Sequence, residues 1–246
     1  MKKKIIATVE CRMTSTRLPG KVLLEAGGKP LLQILVERLR LVPQLDEIVL
    51  ATTINETDDC IVKLAEKIGC QHYRGSEEDV LGRVLEAARA NKADIIVEIT
   101  GDCPLIDPRI ISQTIDLYLK SNCDYCANCL LQTFPAGMDT QVYSTDILAI
   151  ANEKGLSAPD REHVSYYIIQ RPKEFTLLNL AATPELHWPE LRLTLDEIAD
   201  YELIKTIQEN FSEKGNDYPS LAEIIGYLKE NIHLTDINKN VQPKKI

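Results

Sequence analysis

An α/β fold built on a mostly parallel sheet is what the sequence predicts, and three observations support it. Short β-branched runs alternate with helical apolar stripes through the first half of the chain. Glycine and polar residues directly follow two of these runs, at 10–29 and 100–104. The 246 residues are 44% hydrophobic and 26% charged, which is ordinary for a globular protein. The alternation is typical of parallel strands joined by right-handed helical crossovers.

The predicted elements follow from the period of the apolar residues and from helix-start signals such as Pro30 and Pro108. Strands are predicted at Lys4–Val9, Asp46–Thr52, Gln71–Tyr73, Asp94–Ile99, Met138–Tyr143 and Arg192–Leu195. Helices are predicted at Pro30–Leu39, Asp58–Ile68, Asp79–Asn91, Pro108–Lys120, Ile198–Asn210 and Ser220–Glu230. We expect one domain over 1–233, with a less regular minor lobe at about 124–180, and a mobile tail at 234–246.

The charge of the chain limits its partners. A formal net charge of −9 argues against a general nucleic-acid surface, which needs clustered Lys and Arg. The apolar run after Lys4 is interrupted by Glu10 and Arg12, too early for a signal peptide or a membrane span. We therefore predict a cytoplasmic protein without a membrane partner.

Seven cysteines, an odd number without an export signal, favour reduced thiols over a disulfide framework. Cys123, Cys126 and Cys129 could ligate zinc or an iron–sulfur cluster, with Cys103 as the nearest fourth ligand. In an extended segment, however, Cys126 would face away from the other two. Buried small apolar side chains are the alternative that we favour.

The loop after the first strand carries groups that bind phosphate. Three cations, three hydroxyls and a glycine occur within 11–21: Arg12, Thr14, Ser15, Thr16, Arg17, Gly20 and Lys21. Arginine forks, a lysine point charge and inward-turned backbone N–H groups make an anion-binding concavity. The spacing matches neither the Walker A nor the dinucleotide fingerprint, so a solvated loop is the competing interpretation.

Two carboxylates are candidates for a metal site. Asp102 follows a buried strand and a glycine, and Pro104 stops the chain from continuing. Mg²⁺ usually takes one or two protein carboxylates and keeps several waters. The second candidate is Asp196, at the end of the predicted strand Arg192–Leu195, although an aspartate before a helix is also an ordinary N-cap.

Several motifs occur together in one order along the chain. They are Arg12-x-x-Ser15-Thr16-Arg17-Leu18-Pro19-Gly20-Lys21, Gly28-Lys29-Pro30-Leu31, Gly75 to Leu81, Thr100 to Pro108, Gly137-Met138-Asp139, Arg161-Glu162-His163-Val164 and Leu193-Thr194-Leu195-Asp196. This set resembles the cytidylyltransferases of the CMP-KDO synthetase and acylneuraminate cytidylyltransferase type. The motifs after the first two resemble the spore coat polysaccharide biosynthesis branch of that family.

The resemblance implies an α/β nucleotidyltransferase domain of the GT-A-like, Rossmann-like type, with a mostly parallel mixed sheet and a small extra lobe. It implies a homodimer formed through that lobe, CTP as the nucleotide and Mg²⁺ as the cofactor, held by Asp102 and Asp196. It assigns catalysis to Arg12, Lys21 and Asp102, and nucleotide binding to Arg12, Ser15, Arg17, Lys21, Arg74, Ser76 and Asp79. It assigns acceptor binding to Asp139, Arg161 and His163.

The predicted reaction is transfer of CMP from CTP to a sugar-like acceptor, such as a ulosonic acid or another surface-polysaccharide precursor, with release of pyrophosphate. Three alternatives remain open: a nucleotidyltransferase that uses GTP or another triphosphate, one with a phosphonate acceptor, and a catalytically silent nucleotide-binding subunit. A glycosyltransferase of the same fold would normally need an Asp-x-Asp motif, and Pro104 stands where its second aspartate would lie. A role of His163 as general base is weighed against a structural or acceptor-contacting role, which we favour.

Overall fold

A seven-stranded mixed sheet runs through the computed structural model, which describes residues 2–242. Its strands are β1 (Ile5–Glu10), β4 (Glu47–Thr53), β5 (Gln71–Gly75), β6 (Ile95–Thr100), β7 (Tyr125–Ala127), β8 (Gln141–Ser144) and β9 (Leu177–Asn179). The strand order is β5-β4-β1-β6-β8-β7-β9. The first four are parallel, β8 is antiparallel to both neighbours, and β9 is parallel to β7. A short hairpin, β2 (Glu25–Ala26) and β3 (Lys29–Pro30), lies within the first loop.

Helices cover both faces of this sheet. They are α1 (Leu31–Leu39), α2 (Asp59–Lys67), α3 (Val80–Ala90), α4 (Pro108–Lys120), α5 (Thr145–Lys154), α6 (Ala158–Glu162), α7 (Tyr166–Ile169), α8 (Ile198–Ser212) and α9 (Leu221–Glu230). Side-chain caps fix several starts: Asp107 caps α4, whose first residue is Pro108, and Ser220 forms a capping box with Glu223 on α9. Within residues 2–242 no helix is long and apolar enough to cross a membrane.

Alternation along β1 explains the two-sided core. Ala7 and Val9 join a buried cluster with α1, α2 and α4, whereas Ile6 points to the other face and packs with α3 and α5. Strands buried on both faces are expected for the parallel part of such a sheet. A third buried cluster joins α8 and α9 to α1 through side chains such as Leu193 and Leu195.

The first half of the fold matches the sequence prediction closely, whereas one predicted strand is wrong. Residues 192–195 do not form a strand, because only one bridge, Ala136 with Arg192, connects them to a parallel neighbour. The backbone N–H of Leu193 still donates to the carbonyl of Ala136, at 2.8 Å, and Leu195 donates to Asp102, at 2.8 Å. These hydrogen bonds hold the segment 192–195 next to the end of β6. A metal site shared by Asp102 and Asp196 requires this proximity.

The later segments also differ in detail from expectation. The region 124–180, predicted as a minor lobe, contributes β7, β8 and β9 to the far edge of the same sheet and carries α5 to α7. The described part of the predicted tail forms a 3-10 helix at Ile232–Asp236 and then buries Asn238. Packing therefore extends beyond the predicted boundary at 233. The end of that tail, 243–246, lies outside the described residues.

Candidate active site

The loop after β1 and the turn after β6 meet at one cavity. The two strands are adjacent and parallel, and Glu10 pairs with Thr100, so their carboxyl ends coincide. The N–H of Gly101 donates to the carbonyl of Glu10 at 2.8 Å, and a side-chain carbon at Gly101 would lie only 2.7 Å from that oxygen. This close approach explains the glycine before Asp102.

The cavity has a volume of about 260 Å³, and we call it the inner cavity. Seven of the residues predicted for the site line it: Arg12, Ser15, Arg17, Lys21, Asp102, His163 and Asp196. The structure therefore brings together, on one edge of the sheet, side chains from four separate parts of the sequence. Ligands of open parallel sheets collect at this edge.

Lys21 stands at the point where three oxygens converge. Its Nζ lies 2.9 Å from Asp196 Oδ1, 3.2 Å from Asp102 Oδ2 and 2.6 Å from the carbonyl oxygen of Leu195. Burial alone would lower the pKa of Lys21, but the charges of Asp102 and Asp196 outweigh it and raise that pKa. The lysine is therefore a full cation held between the two predicted metal ligands.

Asp196 is the most strongly held carboxylate of the site. Its Oδ1 lies 2.7 Å from the guanidinium of Arg17, and its Oδ2 lies 2.6 Å from that of Arg192. Burial would raise its pKa, but the charge and hydrogen bonds of Lys21 and the arginines lower it. Asp196 is thus an ionised carboxylate, as a ligand of a hard cation must be.

A second cavity opens beside the first. We call it the outer cavity; its volume is about 690 Å³ and it shares Arg12, Val80 and Glu162 with the inner one. Three more predicted site residues line it: Ser76, Asp79 and Arg161. Asp79 caps α3 through the N–H of Gly82 at 2.9 Å, so part of its role is structural.

Glu77 lines the outer cavity and was not predicted from the sequence as a site residue. It accepts from Arg12 at 2.9 Å, from the hydroxyl of Thr14 and from the amide of Asn55 at 2.5 Å. The hydrogen bond from Thr14 and those from its other partners lower the pKa of Glu77. It holds the guanidinium of Arg12 at the boundary between the inner and outer cavities.

The structure places Arg74, a predicted nucleotide ligand, outside both cavities. Its guanidinium donates to the carbonyls of Thr53 and Asn55, at 2.8 and 2.7 Å, and to Asp59 at 2.6 Å. These bonds tie β5 to the turn before α2. In this arrangement Arg74 supports the neighbouring turn, and its role in nucleotide binding stays a prediction.

Asp139, predicted for acceptor binding, lines neither the inner nor the outer cavity. Its Oδ1 is buried, without a hydrogen-bond partner among the residues described. Burial, and then the charge of Asp102, raise the pKa of Asp139 to about 6. The carboxyl is therefore near enough to Asp102 to be affected by its charge, and its role in acceptor binding stays a prediction.

Two carboxyl groups lie close together near the carboxyl ends of β1 and β6: Glu10, which lines the inner cavity, and the buried Glu98. Glu10 and Glu98 point to the same face of β1 and β6, because Thr8 pairs with Glu98 and Glu10 with Thr100. Glu98 accepts from Gln141 at 3.0 Å and from the hydroxyl of Tyr143. Burial raises the pKa of Glu98 to about 7, and burial together with the charge of Glu98 raises that of Glu10.

The raised pKa of Glu98 predicts a pH dependence of stability. Its ordinary value is 4.5 and its folded value is about 7, so unfolding releases a proton between these limits. Stability is therefore greatest below pH 4.5 for this group and is lost as pH rises through 7. We expect Glu98→Gln to be more stable than the wild type at pH 8, by up to about 3 kcal/mol, and to lose that advantage near pH 5.

Urea unfolding of both proteins at pH 5 and pH 8 measures this difference. The amide introduced by Glu98→Gln can keep both partners, since it offers an acceptor to Gln141 and a donor to Tyr143. The exposed Glu230→Gln provides the matched control. Equal stability differences at the two pH values would show that Glu98 does not carry a raised pKa in the folded protein.

Comparison with known proteins agrees with this geometry. A sequence profile described as Cytidylyltransferase matches residues 6–224. This chain belongs to the cytidylyltransferase family. The spore coat polysaccharide biosynthesis protein SpsF of Bacillus subtilis is 34% identical over 232 residues, which cover 92% of this chain and 95% of that protein. A 3-deoxy-manno-octulosonate cytidylyltransferase of Solibacter usitatus is 30% identical over 93% of this chain and 95% of its own.

A solved structure extends the likeness to three dimensions. A cytidylyltransferase from Leptospira borgpetersenii serovar Hardjo-bovis is 32% identical, both chains are covered over 100% of their length, and the TM-score is 0.87. The predicted family, the α/β nucleotidyltransferase fold and the assignment as a nucleotidyltransferase are thus confirmed. The roles of individual residues stay predictions.

The oxygen set around Lys21 fits a magnesium ion. Two carboxylates and one carbonyl converge there, and hard oxygen donors are what Mg²⁺ prefers. Among residues 2–242 no group of three or more His, Cys, Asp or Glu side chains is placed to hold a metal. The cysteines at 123, 126 and 129 therefore do not form such a group. A two-carboxylate site completed by phosphate oxygens and water suits Mg²⁺.

Proposed function

We propose that this protein transfers CMP from CTP to a sugar-like acceptor and releases pyrophosphate, with Mg²⁺ as cofactor. The observation that supports it best is the convergence of Arg12, Arg17 and Lys21 with Asp102 and Asp196 on one small cavity. Relatives named for spore coat polysaccharide biosynthesis and as a 3-deoxy-manno-octulosonate cytidylyltransferase support an acidic or surface-polysaccharide sugar as acceptor.

Each side chain of the loop has a task in this reaction. Arg12 and Arg17 offer planar donor forks to phosphate oxygens, and Ser15 offers a hydroxyl from the same wall. Lys21 supplies a point charge that can follow the negative charge as pyrophosphate leaves. Phosphoryl transfer depends chiefly on such positioning and charge stabilisation.

Asp102 and Asp196 would hold the magnesium ion, which when bound would supply a Lewis acid. The acceptor would approach from the side of Asp139 and His163. His163 lines the inner cavity, and the buried Oδ1 of Asp139 has no hydrogen-bond partner among the described residues, which supports a role in acceptor binding. The outer cavity, which Ser76 and Asp79 line, would bind the base and the ribose.

Equilibrium binding of CTP, UTP, GTP and ATP in the presence of Mg²⁺ tests the nucleotide assignment without knowledge of the acceptor. We expect a clear preference for CTP and a loss of about tenfold or more in affinity for Lys21→Ala, which removes one charge-assisted contact worth about 1.5–3 kcal/mol. Lys154→Ala, at the end of α5 and outside both cavities, is a matched control.

The outcomes separate the alternatives. Preference for another triphosphate would retain the nucleotidyltransferase activity and reject CTP as the donor. Binding of CTP without pyrophosphate release across a panel of ulosonic acids and phosphonates would favour a silent nucleotide-binding subunit. Absence of binding to any triphosphate would overturn the proposed function.

A further inference from the structure

The C-terminal segment contacts the network that holds Asp196. Asn238 is 4% exposed, although it belongs to a segment that the sequence predicts to be a mobile tail. Its side-chain amide donates to Asp200 Oδ1 at 2.9 Å and to the carbonyl oxygen of Arg192 at 3.0 Å. Both hydrogen-bond donors of the amide therefore contact residues, Arg192 and Asp200, that lie next to the active site.

Asp200 is the centre of this network. It is completely buried, and its Oδ2 accepts from the backbone N–H groups of Asp196 and Glu197, at 2.9 and 3.0 Å. It also accepts from Arg192, Nε to Oδ1 at 2.9 Å and one terminal nitrogen to Oδ2 at 3.2 Å. A buried carboxylate needs this many donors, because an unpaired charge away from water is costly.

Arg192 links Asp200 to Asp196, because it contacts both carboxylates. The terminal nitrogen that contacts Asp200 also lies 2.6 Å from Asp196 Oδ2. Asp196 is therefore fixed at its backbone by Asp200 and at one carboxylate oxygen by Arg192. Its other oxygen, Oδ1, is left facing Lys21 and Arg17 in the cavity.

We propose that Asn238, through Asp200 and Arg192, is a positioning residue that orients Asp196 for cation binding, so that the C-terminal segment is part of the active-site machinery. This inference rests on the proposed role of Asp196 as a metal ligand. Partners that orient a ligand typically change metal affinity about 10–100-fold when removed. The segment acts without touching substrate, because Asn238 lines neither the inner nor the outer cavity.

Asn238→Asp in the full-length protein is the decisive variant, since it keeps the size of the side chain and replaces both donated hydrogen bonds by repulsion from Asp200. We expect Mn²⁺ affinity, measured by electron paramagnetic resonance with and without CTP, to fall about tenfold. Binding of CTP in EDTA should fall by less than the Mn²⁺ affinity, because Asn238 donates its hydrogen bonds to Arg192 and Asp200 and to no residue of the phosphate loop. Asn240→Asp, exposed and two residues further on, is the matched control.

Asn238→Ala and Arg192→Lys give milder versions of the same change if the aspartate variant fails to fold. Equal Mn²⁺ affinity in Asn238→Ala, Arg192→Lys and the control would overturn the proposal, as would absence of Mn²⁺ binding by the wild type. The proposed function is judged separately, by pyrophosphate release in the wild type. A protein that binds Mn²⁺ and shows the Asn238 effect without releasing pyrophosphate would support the positioning role and reject the transferase reaction.

Discussion

Asp102→Asn is expected to lower turnover by at least about 100-fold while the fold stays intact. The substitution removes a negative charge from the point where Lys21 and the proposed magnesium ion are held, and an amide is a poor ligand for Mg²⁺. The fold should survive because the main-chain carbonyl of Asp102, not its side chain, accepts from Leu195. Lys21 also retains its contacts with Asp196 and the carbonyl of Leu195.

Steady-state pyrophosphate release over a range of Mg²⁺ concentrations measures this effect, and thermal unfolding reports on the fold. The control is Asp116→Asn, on the exposed side of α4, where the carboxylate pairs with Lys120. That variant should lose at most about 0.5 kcal/mol of stability and no activity. Turnover of Asp102→Asn close to that of the wild type would remove Asp102 from the catalytic site.

Gly137→Ala is expected to cause the largest loss of stability. The residue has φ +99°, and a methyl group there would lie 2.6 Å from the backbone carbonyl carbon and oxygen of Leu193. Both the left-handed conformation and the backbone clash oppose a side chain, and we expect a loss of about 3 kcal/mol or more. For a chain of this size, that corresponds to a melting temperature about 6–12 °C lower.

The same substitution should also lower activity, because the segment pushed away by the methyl group continues into Asp196. Differential scanning fluorimetry and Mg²⁺-dependent turnover on the same samples measure both effects. Gly226→Ala on α9 has open space around it and should instead gain about 0.5–1 kcal/mol. A melting temperature for Gly137→Ala equal to that of Gly226→Ala would show that the 137 and 193 segments do not pack as described.

The parallel half of the fold could be predicted because the apolar pattern of each element and the alternation of strands with helices indicate the same structure. β1, β4 and β6 are mostly apolar runs, and the helices that alternate with the strands have start signals such as Pro108 after Asp107. The phosphate loop and Asp102 could be placed at one edge for the same reason, since parallel strands end together. The far edge of the sheet has strands of only three or four residues, too short for a periodic pattern.

Interactions between distant segments account for what could not be predicted. Glu77 faces Arg12 from a different loop, and Asn238 meets Asp200 after two further helices, so neither pairing leaves a local pattern. Arg74 differs from these cases: the family resemblance assigned it to nucleotide binding, and in the structure its donors engage backbone carbonyls of the adjoining turn. Glu98 did carry a signal, since a lone acidic residue inside a buried strand predicts a hydrogen-bonded or protonated carboxyl.

The strand order also has a consequence for synthesis on the ribosome. β5, β4, β1 and β6 all come from the first hundred residues, whereas β8, which covers the free edge of β6, is translated about forty residues later. During that interval a nascent chain exposes the apolar edge of β6, an arrangement that invites pairing with other chains. Asp196 and Asn238 are added later still, so we expect the growing polypeptide to need protection by chaperones and to acquire cation binding only at the end of translation.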